Sequence, residues 1–109
     1  MELYWNNDKT EYAVLVSPGY GAGWSTWNQR ELAYDKRVIE YFLMNHSKAP
    51  EDVAAAMERF GYEGVYCGGW HKVRLEWVEK NAVWTMREYD GAEHIEYYNP
   101  DNWNCFANA

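Results

Sequence analysis

Between residues 71 and 78 apolar side chains recur at every second position, and the strand this period opens, with the hairpin that follows it, constrains the fold more than any other feature of the chain. In His71 to Val78, the residues Val73, Leu75 and Trp77 alternate with Lys72, Arg74 and Glu76, the mark of a strand with one face in a core and the other in water. Ala82 to Tyr89 and Ala92 to Tyr98 read as two further strands. They flank Asp90-Gly91, a dipeptide suited to a type I′ turn because both central positions need positive φ. A β-hairpin is the expectation there.

Upstream the period changes. Tyr12 to Val16 is a compact apolar run stopped by Ser17-Pro18-Gly19, which reads as a buried strand ended by a turn. Leu32, Ile39, Phe42 and Leu43 repeat with helical spacing, and Lys36 lies four residues from Glu40. This predicts a helix over residues 29–45, with Asn28 and Glu31 as a capping pair and Ser25 or Thr26 as alternative caps. A second, shorter helix begins at Pro50, carries Val53, Ala56, Met57 and Phe60 on one face, and ends at Gly61. Val65-Tyr66-Cys67 reads as a short strand before Gly68-Gly69. The sum is a single α+β domain over residues 1–109: an antiparallel β-meander plus an N-terminal strand, with two helices packed on one face.

The chain of 109 residues is 48 % apolar and 18 % aromatic, with seven Trp and ten Tyr, enough to build one core and to exclude disorder. Its longest apolar runs fall far short of the roughly 20 residues that span a bilayer, so no membrane segment is expected. Residues 1–8 lack the basic and apolar regions of a secretory signal, and the expected location is the cytoplasm. The formal charge is −7, and residues 76–101 concentrate it, with seven acids against two bases. Such a surface repels phosphate polymers, so direct nucleic-acid binding is not expected, whereas a basic protein partner fits; solubility alone would also account for the charge. Cys67 and Cys105 are read as free thiols. His46, His71 and His94 suit no metal motif, and neither a metal nor a cofactor is expected.

The residues that best suggest a site are Ser17-Pro18-Gly19-Tyr20-Gly21-Ala22-Gly23-Trp24-Ser25-Thr26-Trp27. Alternating glycines let backbone amides approach a ligand closely, and the amides near a helix start, with the Ser25 and Thr26 hydroxyls, suit an anion. Tyr20, Trp24, Trp27 and Trp70 can stack on a planar ring, and Arg74 and Arg87 can grip a phosphate or carboxylate. The loop matches neither G-x-G-x-x-G nor the P-loop pattern, so a nucleotide-dependent enzyme is not indicated. A tight crossover, with the indoles covering the core, is the competing explanation. Asp35 falls within the apolar stripe of the first expected helix and needs a partner, either the glycine loop or a ligand. No nucleophile stands in a recognised context. The one conceivable acid–base set, Asp35, Glu76 and His71, shows no spacing that brings it together, and no catalytic residues are assigned.

The words Ala13-Val14-Leu15-Val16-Ser17-Pro18-Gly19-Tyr20-Gly21-Ala22-Gly23-Trp24-Ser25-Thr26-Trp27-Asn28, Val65-Tyr66-Cys67-Gly68-Gly69-Trp70 and Arg87-Glu88-Tyr89-Asp90-Gly91 resemble a group of short proteins encoded by bacteriophages and prophages, over most of residues 12–98. The resemblance supplies no activity and no functional residue. It implies a setting, in which small acidic phage proteins counter host antiviral defence. Two functions are then expected alternatives. One is sequestration of a small anionic, nucleotide-like signal by the glycine and tryptophan loop. The other is occlusion of a basic groove on a host complex by the acidic hairpin, through Glu88, Tyr89, Asp90, Glu93, Glu96, Tyr97 and Tyr98. A small-substrate enzyme is a distant third.

Overall fold

The computed structural model describes residues 2–98, in which four strands and two α-helices follow one another as β1 (Glu11–Val16), α1 (Lys36–Asn45), α2 (Pro50–Arg59), β2 (Arg74–Glu79), β3 (Val83–Tyr89) and β4 (Ala92–Tyr98). Three short 3-10 segments, Ser25–Trp27, Arg30–Ala33 and Trp70–Lys72, join them. The fold is α+β. No helix among the described residues is long and apolar enough to cross a membrane.

β1 runs through the middle of the molecule. It pairs antiparallel with β2, from Glu11 opposite Glu79 to Val16 opposite Arg74, and its other edge meets the N-terminal segment, where the Ala13 amide donates to the Tyr4 carbonyl at 2.8 Å. Alternate side chains of a strand point to opposite faces, so a strand covered on both sides must be apolar throughout. Ala13 and Leu15 pack with Leu32, Val38, Ile39, Val53 and Met57 on the helical side. Val14 and Val16 pack with Ala33, Val78 and the half-buried Trp84, Met86 and Ile95. All four β1 residues are buried because helices close one face of the sheet and the β3–β4 hairpin closes the other.

Three sequence expectations change in form. The expected meander divides into two two-stranded sheets, β1–β2 and β3–β4, because the chain turns after Glu79 and lays the hairpin across the first sheet. Val78, on the hairpin side, is completely buried, whereas Trp77, opposite Ala13 on the helical side, is 41 % exposed. The helix expected over residues 29–45 is a 3-10 segment followed by α1, which begins only at Lys36. Residues 65–67 form no strand, because the Asn28 side chain holds the backbone there instead: its Oδ1 accepts from the Tyr66 amide at 2.8 Å and its Nδ2 donates to the Tyr66 carbonyl at 3.0 Å. That bridge also explains why Asn28 caps no α-helix. The second helix and the hairpin lie where the periodicity places them.

Candidate functional site

The glycine loop does hold an anion, and the anion belongs to the protein. Glu93 on β4 is 3 % exposed, and its carboxylate faces the loop. Oε1 accepts from the Ser17 amide at 3.0 Å; Oε2 accepts from the Trp24 and Thr26 amides, each at 2.9 Å, and from the Thr26 hydroxyl at 2.5 Å. The Glu93 amide returns a bond to the Ser17 carbonyl at 2.7 Å, and the Ser17 hydroxyl donates to the Ala22 carbonyl. A carboxylate with four donors, three of them backbone amides, is the expected solution for a buried charge. The donors proposed for an external phosphate, Ser17, Trp24 and Thr26, are thus already engaged.

The hairpin turn completes this closure. Asp90 and Gly91 have φ of 50° and 86°, the positive values of a type I′ turn, and the Gly21 amide donates to the Asp90 carbonyl at 2.5 Å. Glu88 accepts from the Gly91 amide at 2.7 Å and from the Trp27 indole nitrogen at 3.1 Å, bonds that hold its carboxyl below the usual carboxylate range. Glu88 stands directly opposite Glu93 in the ladder, and like charges facing each other normally repel. Each has its own donors, which removes the conflict. Gly91 is needed for contact as well as for torsion: a Cβ there would lie 2.6 Å from the Ala22 nitrogen and 2.8 Å from the Gly21 nitrogen. At Gly23 a Cβ would lie 2.4 Å from the Trp27 ring.

The indoles divide between interior and surface. Trp24 and Trp70 are 1 % and 0 % exposed, lie 5.1 Å apart, and donate to the carbonyls of Leu32 and Asn45. They are core residues and offer no stacking platform, as the crossover explanation requires. Ser25 is buried too. Trp27 stays partly exposed against Tyr66, with centroids 5.4 Å apart, and Tyr20 is 69 % exposed and meets Tyr89 edge-on at 6.4 Å. Gly19, Gly21 and Gly23 shape the loop that carries these rings. Arg74 is exposed on β2 opposite Val16. Arg87 is exposed on β3 and pairs across the hairpin with Glu96, at 3.2 Å from each carboxylate oxygen.

Asp35 belongs to a different part of the molecule. It is the N-cap of α1, accepting from the Arg37 amide at 2.9 Å; its Oδ2 also meets the Arg37 guanidinium at 2.8 Å and accepts from the Tyr62 hydroxyl at 2.7 Å. Neither the glycine loop nor an open site is its partner, because α1 starts one residue later and the carboxylate turns to its own helix end and to the chain after α2. Burial pushes its pKa up, but the Arg37 and Tyr62 hydrogen bonds and the Arg37 charge outweigh this and leave it below the usual carboxylate value. Burial and then Asp35 raise the Tyr62 phenol.

A group whose folded pKa is depressed stabilises fully above its unfolded value, about 3.9 for Asp, and loses that contribution as pH falls through the folded value. Asp35→Asn should therefore flatten the acid limb of a melting temperature profile below about pH 4. Tyr62→Phe should cost about 1 kcal/mol at neutral pH in urea titrations.

Of the remaining chemical candidates, Cys67 is buried and its thiol is pushed up to about 11 by desolvation, which suppresses the thiolate at neutral pH. Cys105 and Asp101 lie outside the described residues. No hydrogen bond or ion pair joins Asp35, Glu76 and His71 among the described residues, and no group of three or more metal-ligating side chains occurs among them. What the geometry presents instead is surface. An aromatic rim of Tyr20, Trp27, Tyr66 and Tyr89 surrounds the hairpin turn, and a groove of about 770 Å³ opens between the hairpin and the segments carrying Thr26 and Arg30.

Sequence reasoning selected Glu93 only as an interface acid, read Asn28 only as a helix cap, and missed Tyr62, Tyr34 and Trp84 as structural or groove residues. Alternation along β3 would have placed Trp84 and Met86 on the same face; nothing local marks the partners of Asn28 or Tyr62. Compared with known protein families, curated proteins and solved structures, the chain matches none.

Proposed function

We propose that the chain is a non-enzymatic protein-binding module that uses the tip and outer face of the β3–β4 hairpin to engage a basic surface. In the phage setting implied by the resemblance, that surface belongs to a host defence complex. The observation that carries the reading is the pairing of exposed aromatic rings around a turn fixed from beneath. Tyr89 is 76 % exposed, yet it borders Asp90-Gly91, and the Asp90 carbonyl and Glu93 carboxylate tie this region to the loop. Rigid aromatic anchors offer large contact area at low entropic cost, and they dominate the energetics of interfaces.

The register of the hairpin sorts the acidic and aromatic residues. Trp84, Met86, Glu88, Glu93, Ile95 and Tyr97 share the inner face; Val83, Tyr89, Glu96 and Tyr98 share the outer face. Glu93 is therefore a structural clamp and not a contact for a partner, and Glu88 is held in the turn. Tyr89, Asp90, Glu96 and Tyr98 remain as the presented set, with Tyr97 half exposed beside them. Capture of a small anion by the loop amides loses its donors to Glu93, and it is not the reading favoured.

Native mass spectrometry of the protein purified from cells that produce it tests this. A co-purifying basic polypeptide is expected, dissociating as salt is raised, with affinity lowered about 30-fold by Tyr89→Ala. Asp90→Asn with Glu96→Gln should weaken the complex and its salt dependence while preserving the turn, because Asn accepts positive φ. Recovery of the chain without any polypeptide, or a complex indifferent to both variants, would overturn the reading.

A further inference from the structure

We infer that the groove between the hairpin and the Arg30–Ala33 segment is a second, separate site, fitted to a planar aromatic anion of the nucleoside monophosphate class. Its volume of about 770 Å³ lies within the range typical of small-ligand sites. Tyr12, Tyr34 and Trp84 line it, and the protein orients their rings: the Trp84 indole nitrogen donates to the Tyr12 hydroxyl at 2.6 Å, and Tyr34 meets Trp84 edge-on at 6.4 Å. Rings fixed before binding provide a stacking surface without an ordering cost at the time of binding.

The charge of the groove departs from that of the chain. Although the formal charge is −7, Arg30 and Arg87 both line this cleft. Arg30 forms no ion pair among the described residues. Arg87 lies along the cleft on β3, but its side chain belongs to the outer face of the hairpin, where it pairs with the exposed Glu96, so Arg30 is the cation the ligand meets. The groove carboxylate, Glu88, is turned to the Gly91 amide and the Trp27 indole. Burial and the charge of Glu31 raise the Tyr34 phenol, which keeps it neutral and able to donate.

A cation unpaired among the described residues, Arg30, beside aromatic walls in one cleft asks for a ligand with an aromatic plane and a compact anionic end. Polymeric nucleic acid would meet the acidic remainder of the surface. The groove borders the Glu93 clamp at Thr26, whose amide and hydroxyl are already engaged by Glu93, so the ligand is held by the arginine and the rings instead of by the loop amides.

Titration of the intact chain with AMP, GMP, CMP and UMP, followed by tryptophan fluorescence and amide chemical shifts, tests the assignment. At least one monophosphate is expected to perturb Trp84 and Arg30 at sub-millimolar concentration, with adenosine and inorganic phosphate each weaker by about tenfold or more. Arg30→Ala, an exposed change, should weaken that binding about tenfold with an unchanged melting temperature. Tyr89→Ala should leave it unaltered, which separates this site from the protein-binding surface. Silence towards all four monophosphates at millimolar concentration, equal binding by Arg30→Ala, or shifts confined to the hairpin turn would overturn the inference.

Discussion

Glu93→Gln is expected to lower the stability of the chain by about 3 kcal/mol, although it changes no volume and adds no bulk. The carboxylate receives donors at both oxygens: Ser17 at one, Trp24 and Thr26 at the other. An amide has one oxygen. Whichever way glutamine turns, its NH2 group must face a buried backbone N–H, which leaves two donors opposed and converts the surviving charge-assisted bonds into neutral ones. An unsatisfied buried donor costs about 1–3 kcal/mol, and bonds to a charged group exceed neutral ones by a similar margin. In chemical denaturation the midpoint should fall with little change in slope, the pattern of a stability change without a change in exposed area. A midpoint within error of the parent would show that the clamp contributes little. Glu96→Gln is the control, because Glu96 is exposed and, among the described residues, pairs only with the exposed Arg87; its effect should stay within about 0.5 kcal/mol.

The second large effect is expected at Gly91, where substitution by valine should cost about 3 kcal/mol or more and loosen the contact between hairpin and loop. Two penalties combine there. A φ of 86° is unfavourable for any residue with a Cβ, most of all a β-branched one, and the added carbon would meet the backbone nitrogens of Ala22 and Gly21 and the Trp27 ring, all within 2.8 Å. Gly61 separates the two contributions. Its φ is 97°, but a Cβ there meets nothing within 4 Å, so Gly61→Ala reports the torsional cost alone, about 1 kcal/mol. Gly91→Ala should exceed it clearly in urea midpoint. Similar losses at the two glycines would mean that the loop retreats freely from the turn, and that the rim of Tyr20, Trp27, Tyr66 and Tyr89 is not held in place.

Both predictions concern a meeting of two distant words of the sequence, residues 17–28 and residues 87–93. Each word was legible by itself. Asp90-Gly91 announced the turn, and the alternating glycines with Ser25 and Thr26 announced a cluster of amides that wants negative charge. The apolar stretch Ala13 to Val16 marked a buried strand, and Pro50 and Gly61 bracketed the second helix. Other features needed the folded chain. Asn28 looks like a helix cap in one dimension, yet in three it serves the backbone of Tyr66. Asp35 looks like a charge stranded within an apolar stripe, but the helix starts after it and Arg37 and Tyr62 satisfy it. Trp24 and Trp70 look like a platform for a ligand, and each is sealed with its indole nitrogen bonded to a carbonyl.

The order of residues by itself marked β1, the second helix and the hairpin with its reversal, and it showed a loop after β1 whose amides suit an anion, though not the start of the first helix or the irregular backbone at residues 65–67. These properties depend on local torsions, side-chain period and the chemistry of nearby groups. Tertiary structure alone decided that the anion is Glu93, 76 positions beyond Ser17, and that Tyr20, Trp27, Tyr66 and Tyr89 stay at the surface while Trp24 and Trp70 do not. A set of N–H donors specifies the charge it needs but not its source, and only the packing of the hairpin against β1 brings one particular carboxylate within 3 Å of them.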